Sequence, residues 1–331
     1  MKVGVNLLNW GPGVSPEALA RTTALIEALG YHLAMISDHV APTPDVVAKY
    51  PAPLYDPFTT LGWLAGATRR VELGTTVIIS PYRNPLLTAR MAATRTIELG
   101  TTVIILPYRN PVLTARMAAT VDRLSGGRFI FGVGVGWAKQ EFEALGVPFT
   151  HRGAMSNDYL EAIKIVWTRD VASYTGPFVS FKDVHTAPRP VRSPHPPIWI
   201  GGSTDAALRR AVRYGDAWHP NRVRMNWLRD TGLPKLQAVA AAERKPVPAL
   251  CPRIRLELTD SPRPNAERLI GQGTLDQMRK DLEALESLGA AYVLLDSAGD
   301  DPQATRDQEP LWRMLATLAE KVLDLPQQTL R

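Results

Sequence analysis

Residues 67–94, ATRRVELGTTVIISPYRNPLLTARMAAT, return almost unchanged as residues 93–120, ATRTIELGTTVIILPYRNPVLTARMAAT. The offset is 93 − 67 = 26 residues. The copies differ only where Arg70, Val71, Ser80 and Leu86 face Thr96, Ile97, Leu106 and Val112. Each copy reads as one strand, one loop and one helix. Val71 to Ile79 is β-branched and apolar, as a strand covered on both faces should be. Pro81 to Pro85 supplies a turn, and Leu86 to Thr94 has helical composition. A solenoid would carry this unit throughout, whereas here it occurs twice. The repeat is therefore a tandem duplication, 67–92 and 93–118, inside a fold that other segments complete.

Those segments alternate in the same way. Val3–Leu8 is a short apolar strand, and Ser15-Pro16-Glu17 opens a helix that Gly30 closes. His32–Ser37 is a second strand, followed by a proline-rich loop from Pro42 to Pro57 and a helix to about Thr68. Beyond the repeat come the strand Phe129–Gly134 and helical stretches over 138–145 and 151–168. The stretch from Ala172 to Pro197 alternates and is rich in proline, which predicts a hairpin insertion. Strands recur at Ile198–Ile200, Asp216–His219, Ile254–Leu258 and Tyr292–Asp296, and a last helix runs from Trp312 to Leu323. With one copy of the repeat there are eight strands, each followed by a helix; with both there are nine. The expected fold class is α/β: a single-domain (β/α)8 TIM barrel over 1–331, with a tandemly duplicated third βα unit and a hairpin insertion before the fifth strand. A doubly wound open sheet is the alternative, but its glycine fingerprint would follow the first strand, where Asn6-Leu7-Leu8-Asn9-Trp10 stands instead.

Composition narrows the function classes. The chain has 331 residues, 45% hydrophobic and 21% charged, as a globular domain should. Cys251 is the lone cysteine, so neither an internal disulfide nor a thiolate metal cluster can form. MKVGVNLLNW lacks the features of a signal peptide, and no run approaches membrane-spanning length. These point to a cytoplasmic protein with no membrane partner. The net charge of +6 is scattered rather than gathered in one basic block, which argues against nucleic acid and for a basic pocket that takes an anionic small molecule.

In a barrel of this kind chemistry gathers at the C-terminal ends of the strands. The residues there are Asn6 and Asn9, Asp38 and His39, Thr102-Val103 or their twins Thr76-Val77, Gly134-Val135-Gly136-Trp137, and Gly201-Gly202-Ser203. His39 is the candidate catalytic group, because imidazole exchanges a proton near neutral pH. Asp38 points to the opposite side of a regular strand and meets a ligand through its backbone or orients a neighbour. Gly201, Gly202 and Ser203 precede a helix, so consecutive backbone N–H groups and the helix N-terminus favour a phosphate. Glycines at 134 and 136 let a planar ring approach the backbone. Gln140 lies one turn on, within reach of a ligand tail. His219 is either site wall or packing, and Arg189 and Arg192 meet either a polyanionic tail or solvent.

Four separated motifs in order carry a resemblance. SDHV, LGTTVIILPYRNPVLTARMAATVDRLSGGRFIFGVGVGW, EFEALGVPF and PHPPIWIGGS…ALRRAVRYGDAWHP are together similar to the luciferase-like monooxygenase superfamily, most of all to its branch that uses coenzyme F420. The likeness covers nearly the whole chain apart from the extra copy. It implies a barrel whose mouth holds a deazaflavin, with a non-proline cis peptide near the end of the third strand behind the ring. It places His39 beside the coenzyme's reactive carbon. It places ring and linker contacts at Gly134, Val135, Gly136 and Trp137; the further cofactor contacts expected from position are Asn6, Asp38, Thr102, Val103, Gln140, Gly201, Gly202 and Ser203, and no metal is expected. Relatives that oxidise sugar phosphates carry an acid where this chain has Trp137 and a tryptophan where it has Thr43, so that substrate is disfavoured. The expectation is an F420-dependent oxidoreductase acting on a small molecule as a homodimer. The alternatives are an FMN-dependent monooxygenase fed by a separate reductase, and a non-catalytic cofactor-binding barrel.

Eight strands fill a barrel interior, and a ninth alters its tilt and shear. The second copy runs on into Val121-Asp122-Arg123-Leu124 and a Ser125-Gly126-Gly127 stop. Residues 97–124 are therefore expected to form the third βα unit, with roughly 69–94 extruded. The rivals are the reverse arrangement and a nine-stranded wall.

Overall fold

The computed structural model describes residues 1–36, 43–53, 55, 60, 64, 72–75, 99–100, 103–124, 127, 129–297 and 302–331. Strand β1 (Lys2–Leu7) leads to helix α1 (Pro16–Leu29), then β2 (Leu33–Ile36) and the short helix α2 (Pro44–Val47). From the two copies come β3 (Glu72–Thr75), β4 (Leu99–Gly100), β5 (Ile104–Ile105) and helix α3 (Pro111–Leu124). Strand β6 (Phe129–Gly134) precedes helices α4 (Lys139–Ala144) and α5 (Arg152–Thr168). A hairpin of β7 (Val171–Thr175) and β8 (Ser180–His185) follows, then β9 (Ile198–Gly201), α6 (Asp205–Tyr214), β10 (Ala217–His219) and α7 (Leu233–Glu243). The C-terminal part brings β11 (Ala249–Leu250), β12 (Arg253–Arg255), helix α8 (Leu275–Ser287), β13 (Tyr292–Asp296) and helix α9 (Glu309–Lys321).

Local chemistry sets these boundaries. The Ser15 hydroxyl accepts from Ala18 N at 3.2 Å, Pro16 occupies the first turn of α1, and Gly30 closes it at φ 87°. Asn110 Oδ1 accepts from Val112 N and Leu113 N at 3.0 and 3.1 Å, which starts α3. The hairpin expected near 172–197 is antiparallel over Val171–His185. Buried Asp158 on α5 holds its turn by accepting from Phe178 N at 3.0 Å, Val179 N at 3.1 Å and the Tyr174 hydroxyl at 2.7 Å. Arg189 pairs with Asp170 at the hairpin base, and the backbone at Val191 and Arg192 is tied to Asp122.

The main strands are parallel, in the orders β12-β13-β1-β2-β3 and β11-β10-β9-β6-β4, with β5 also on β6. The backbone at 249–255 joins the two sheets. Ala249 N and Cys251 N donate to Asp216 O and Trp218 O at 2.9 Å on one side. On the other, Ala291 N and Leu294 N donate to Leu250 O and Pro252 O at 2.9 and 3.0 Å. The described order therefore begins and ends on the repeat, at β3 and β4.

This corrects the expected extrusion of 69–94. The first copy's Glu72–Thr75 is hydrogen-bonded in register to Leu33–Ile36, not displaced from the sheet. The second copy's Leu99–Gly100 and Ile104–Ile105 pair with β6, and its helix follows as expected. Both copies carry the same strand code, and each has found an open edge. Residues 76–98 lie outside the described residues.

Candidate active site at the strand exits

Alternate residues of the strands belong to two apolar clusters. Val3, Val5, Leu7, Phe131, Val133, Ile198, Ile200, Trp218, Ile254, Val293 and Leu295 share one with helix residues such as Leu19, Ile26, Leu160 and Leu315. Ile130, Trp199, Ala217, Cys251 and Tyr292 form another with no helix residue in it. Because side chains alternate along a strand, the second face continues toward the strand exits as Asn6, Gly134, Gly201, His219, Arg253 and Asp296.

Those residues form a buried polar group. Asn6 Nδ2 donates to Asp296 Oδ1 at 3.2 Å, and Arg253 Nε lies 3.0 Å from Asp296 Oδ2. His219 Nδ1 bonds the Cys251 carbonyl, so that nitrogen carries the proton and Nε2 is left as an acceptor. His219 Nε2 and Asn6 Oδ1 are both buried with no hydrogen-bond partner. Burial chiefly, with the nearby Arg253 charge, lowers the His219 pKa to about 4. The phenol of Tyr50, on the proline-rich loop, is pushed up, mostly by burial. Its ring meets Trp10 edge-on at 5.0 Å. Asn9 pins the same loop, with Nδ2 donating to Tyr55 O at 2.8 Å.

Three of the expected residues converge on one spot. A Cβ at Gly134 would fall 2.7 Å from Val103 Cγ2, and one at Gly201 would fall 2.7 Å from Val103 Cγ1. Half-buried Val103 thus fills the room that both glycines leave, and the shelf is glycine backbone topped by one valine. Gly136, at φ +80°, would place a Cβ 2.7 Å from the Phe142 ring and 2.8 Å from Ile105 Cγ2. Val135 is half-buried beside it, Trp137 is 44% exposed with Lys49 Nζ 3.8 Å above its ring, and Gln140 is exposed on α4.

The expected phosphate loop is altered in detail. Gly202 sits at φ +111°, but its N–H donates to His219 O at 3.3 Å and so leaves the expected run of consecutive donors. The cap of α6 is Thr204, whose hydroxyl accepts from Ala207 N at 3.2 Å, and Ser203 is half-buried before it. Asp205 in the first turn is held by Lys235 at 2.9 Å. Arg210 on α6 is buried, donating Nε to Asn157 Oδ1 at 2.8 Å and Nη2 to Gly153 O at 3.1 Å on α5.

Asp38, His39 and Thr102, and the twins Thr76 and Val77, lie outside the described residues. The cis peptides among the described residues all precede proline, at Pro53, Pro188 and Pro194. Sequence reading passed over the Arg253–Asp296 pair and also Arg152. Arg152, at the start of α5, donates Nε to Gly136 O at 3.3 Å and Nη1 to Phe149 O at 3.0 Å, which brings a cation to the Gly134–Trp137 loop. The available signal for Arg253 was alternation: Cys251, Arg253 and Arg255 share a face with apolar residues between them. Among the described residues no three side chains could hold a metal, and no helix is long and apolar enough to cross a membrane.

Comparison with known proteins fits this arrangement. Over 271 residues the chain is 29% identical to an uncharacterized protein of Mycobacterium tuberculosis, covering 75% of this chain and 86% of that one. Over 105 residues it is 39% identical to the FMNH(2)-dependent dimethylsulfone monooxygenase of Pseudomonas putida, 31% of this chain and 29% of that one. The fold matches monooxygenase RslO1 from Streptomyces bottropensis at TM-score 0.68 and 21% identity, with 99% of each chain covered. It also matches an F420-dependent secondary alcohol dehydrogenase in complex with an F420–acetone adduct, at TM-score 0.66 and 15% identity, covering 92% and 96%. A family model described as luciferase-like monooxygenase matches residues 1–94 and again 87–262, which spans most of the length. The chain belongs to the luciferase-like monooxygenase family.

Proposed function

We propose that this chain is an oxidoreductase that moves hydride through a deazaflavin, coenzyme F420, bound across the strand exits of a parallel barrel, or oxygen where the bound ring is a flavin. The observation that carries the reading is the convergence of Val103, Gly134 and Gly201 beside two buried acceptors with no partner, Asn6 Oδ1 and His219 Nε2. This set suits a planar ring with polar edges: an apolar shelf for the face, and acceptors for ring N–H groups. Bound there, a deazaflavin supplies two-electron hydride transfer, and a flavin adds reaction with oxygen.

The chain's own residues would do the rest. Arg152 and the first turn of α6 bind the cofactor phosphate, with the Asp205 charge already met by Lys235. Trp10, Tyr50 and the loop that Asn9 pins exclude water. His39 holds or gives the proton that balances charge as hydride moves. The Arg253–Asp296 pair fixes the amide of Asn6 with its oxygen free.

A second reading, FMN in place of F420, is favoured by the 39% identity over 105 residues with an FMNH(2)-dependent enzyme. Titrating the protein against oxidised and reduced F420 and FMN, read by fluorescence quenching, separates the two. Saturation at one cofactor per chain is expected for one of them. Quenching of neither would remove the proposal.

A further inference from the structure

The two ends of the described strand order are the same segment twice. β3 is Glu72–Thr75, and its counterpart 26 residues on, 98–101, contains β4. Among the described residues β3 is bonded to β2 and β4 to β6, and the two lie side by side. In a chain with one copy, a single strand would have to serve both neighbours. Here the work is divided between two.

We infer that the repeat has added a stave to the wall, widening the mouth between the ends of β2 and β6, so that the site takes a wider substrate than a one-copy wall would. The substrate preference rests on the function proposed above; the stave does not. Neighbouring strands stand about 4.8 Å apart, and barrel diameter grows nearly in proportion to strand number. One strand more than eight therefore widens the lumen by roughly one part in eight, on the order of 2 Å. The inward positions of β6 are Ile130 opposite β4, then Gly132 and Gly134 toward the strand exit, with Val103 packed over Gly134.

Two measurements test this. Cysteines placed singly at Glu72, Leu73 or Gly74 and at Leu99 or Gly100 give six pairs in a chain whose own Cys251 is buried and inert, its thiol pushed up to about 12 chiefly by burial. If β3 and β4 are neighbouring staves, mild oxidation should cross-link at least one pair nearly completely, as seen by mass after proteolysis between them. If no pair exceeds a few per cent while the variants keep the parent's circular dichroism, the added stave is refuted. The second measurement compares the full chain with a form lacking residues 67–92, each loaded with FMN or F420. The probes are cyclohexanone, cyclooctanone and cyclododecanone, read by the shift of the bound cofactor's absorption. The full chain should bind the twelve-membered ring at least tenfold more tightly than the deletion does, with the six-membered ring nearly unchanged. The same size profile in both would overturn the widening. Should the deletion fail to fold, Gly132→Leu and Gly132→Phe in the full chain must shift preference toward the smaller ring, or the widening falls. Failure to bind either cofactor would sink the function and the size claim together, while the cross-link still decides the stave.

Discussion

Asn6 Nδ2 donates to Asp296 Oδ1 at 3.2 Å, joining the end of β1 to the end of β13 across 290 residues. Asp296 also neutralises Arg253 on the next strand, so one carboxylate orients an amide and balances a buried cation. Neither task leaves it exposed, since its side chain is only 5% accessible.

Replacing Asp296 with Leu should therefore cost about 3–5 kcal/mol, because it strands the Arg253 charge in the interior. The double variant Arg253→Met/Asp296→Leu should recover most of that, since an apolar pair of similar volume often costs little. Urea unfolding of the three proteins checks this. A single variant within about 1 kcal/mol of the parent would show that Arg253 is not held by Asp296.

His219 makes folding pH-dependent. Its pKa is lowered to about 4 in the fold, against 6.5 for the free side chain. Between those values the unfolded chain binds the extra proton, so stability rises with pH across the window and is lost as pH falls through it. The contribution is up to about 3 kcal/mol. His219→Phe should flatten the stability profile between pH 6.5 and 4, and an unchanged slope would mean that His219 is not the group responsible.

Gly136 combines a left-handed φ of +80° with a blocked Cβ position against Phe142 and Ile105. Gly136→Ala should lower stability by about 1–3 kcal/mol and move the loop that ends at Trp137. Gly146, at φ +68° but with open space around its Cβ, is the control, and Ala there should cost less. Thermal unfolding of both variants tests the ordering.

His39→Ala should leave the cofactor affinity within a few-fold of the parent while turnover falls by ~10²-fold or more. Full turnover at saturating cofactor would reassign the proton donor.

Much of the fold was legible because its punctuation is local. Ser15-Pro16 and Gly30 bound a helix by chemistry that needs no partner, and the glycines 134, 136 and 201 mark strand exits wherever the strands go. The Arg253–Asp296 pair was not legible. A charged residue alternating with apolar ones reads equally as a solvated face, and only tertiary packing shows that both faces of β12 are covered. The repeat was opaque for a different reason. Two copies with one code do not distinguish which will pair with β2 and which with β6. The edges make that choice, and the phosphate loop changed likewise once His219 O captured the Gly202 N–H.

The most direct test of the account is cofactor affinity with charge reversed beside the site. Dissociation constants for F420 and FMN should be measured for the parent, for Arg152→Glu, and for Arg21→Glu as a control that pairs with Glu309 on the outer helices. The account predicts one site per chain, at least tenfold weaker binding in Arg152→Glu that narrows at high salt, and a control within twofold of the parent. Binding of neither cofactor, or equal affinity in all three proteins, would contradict it.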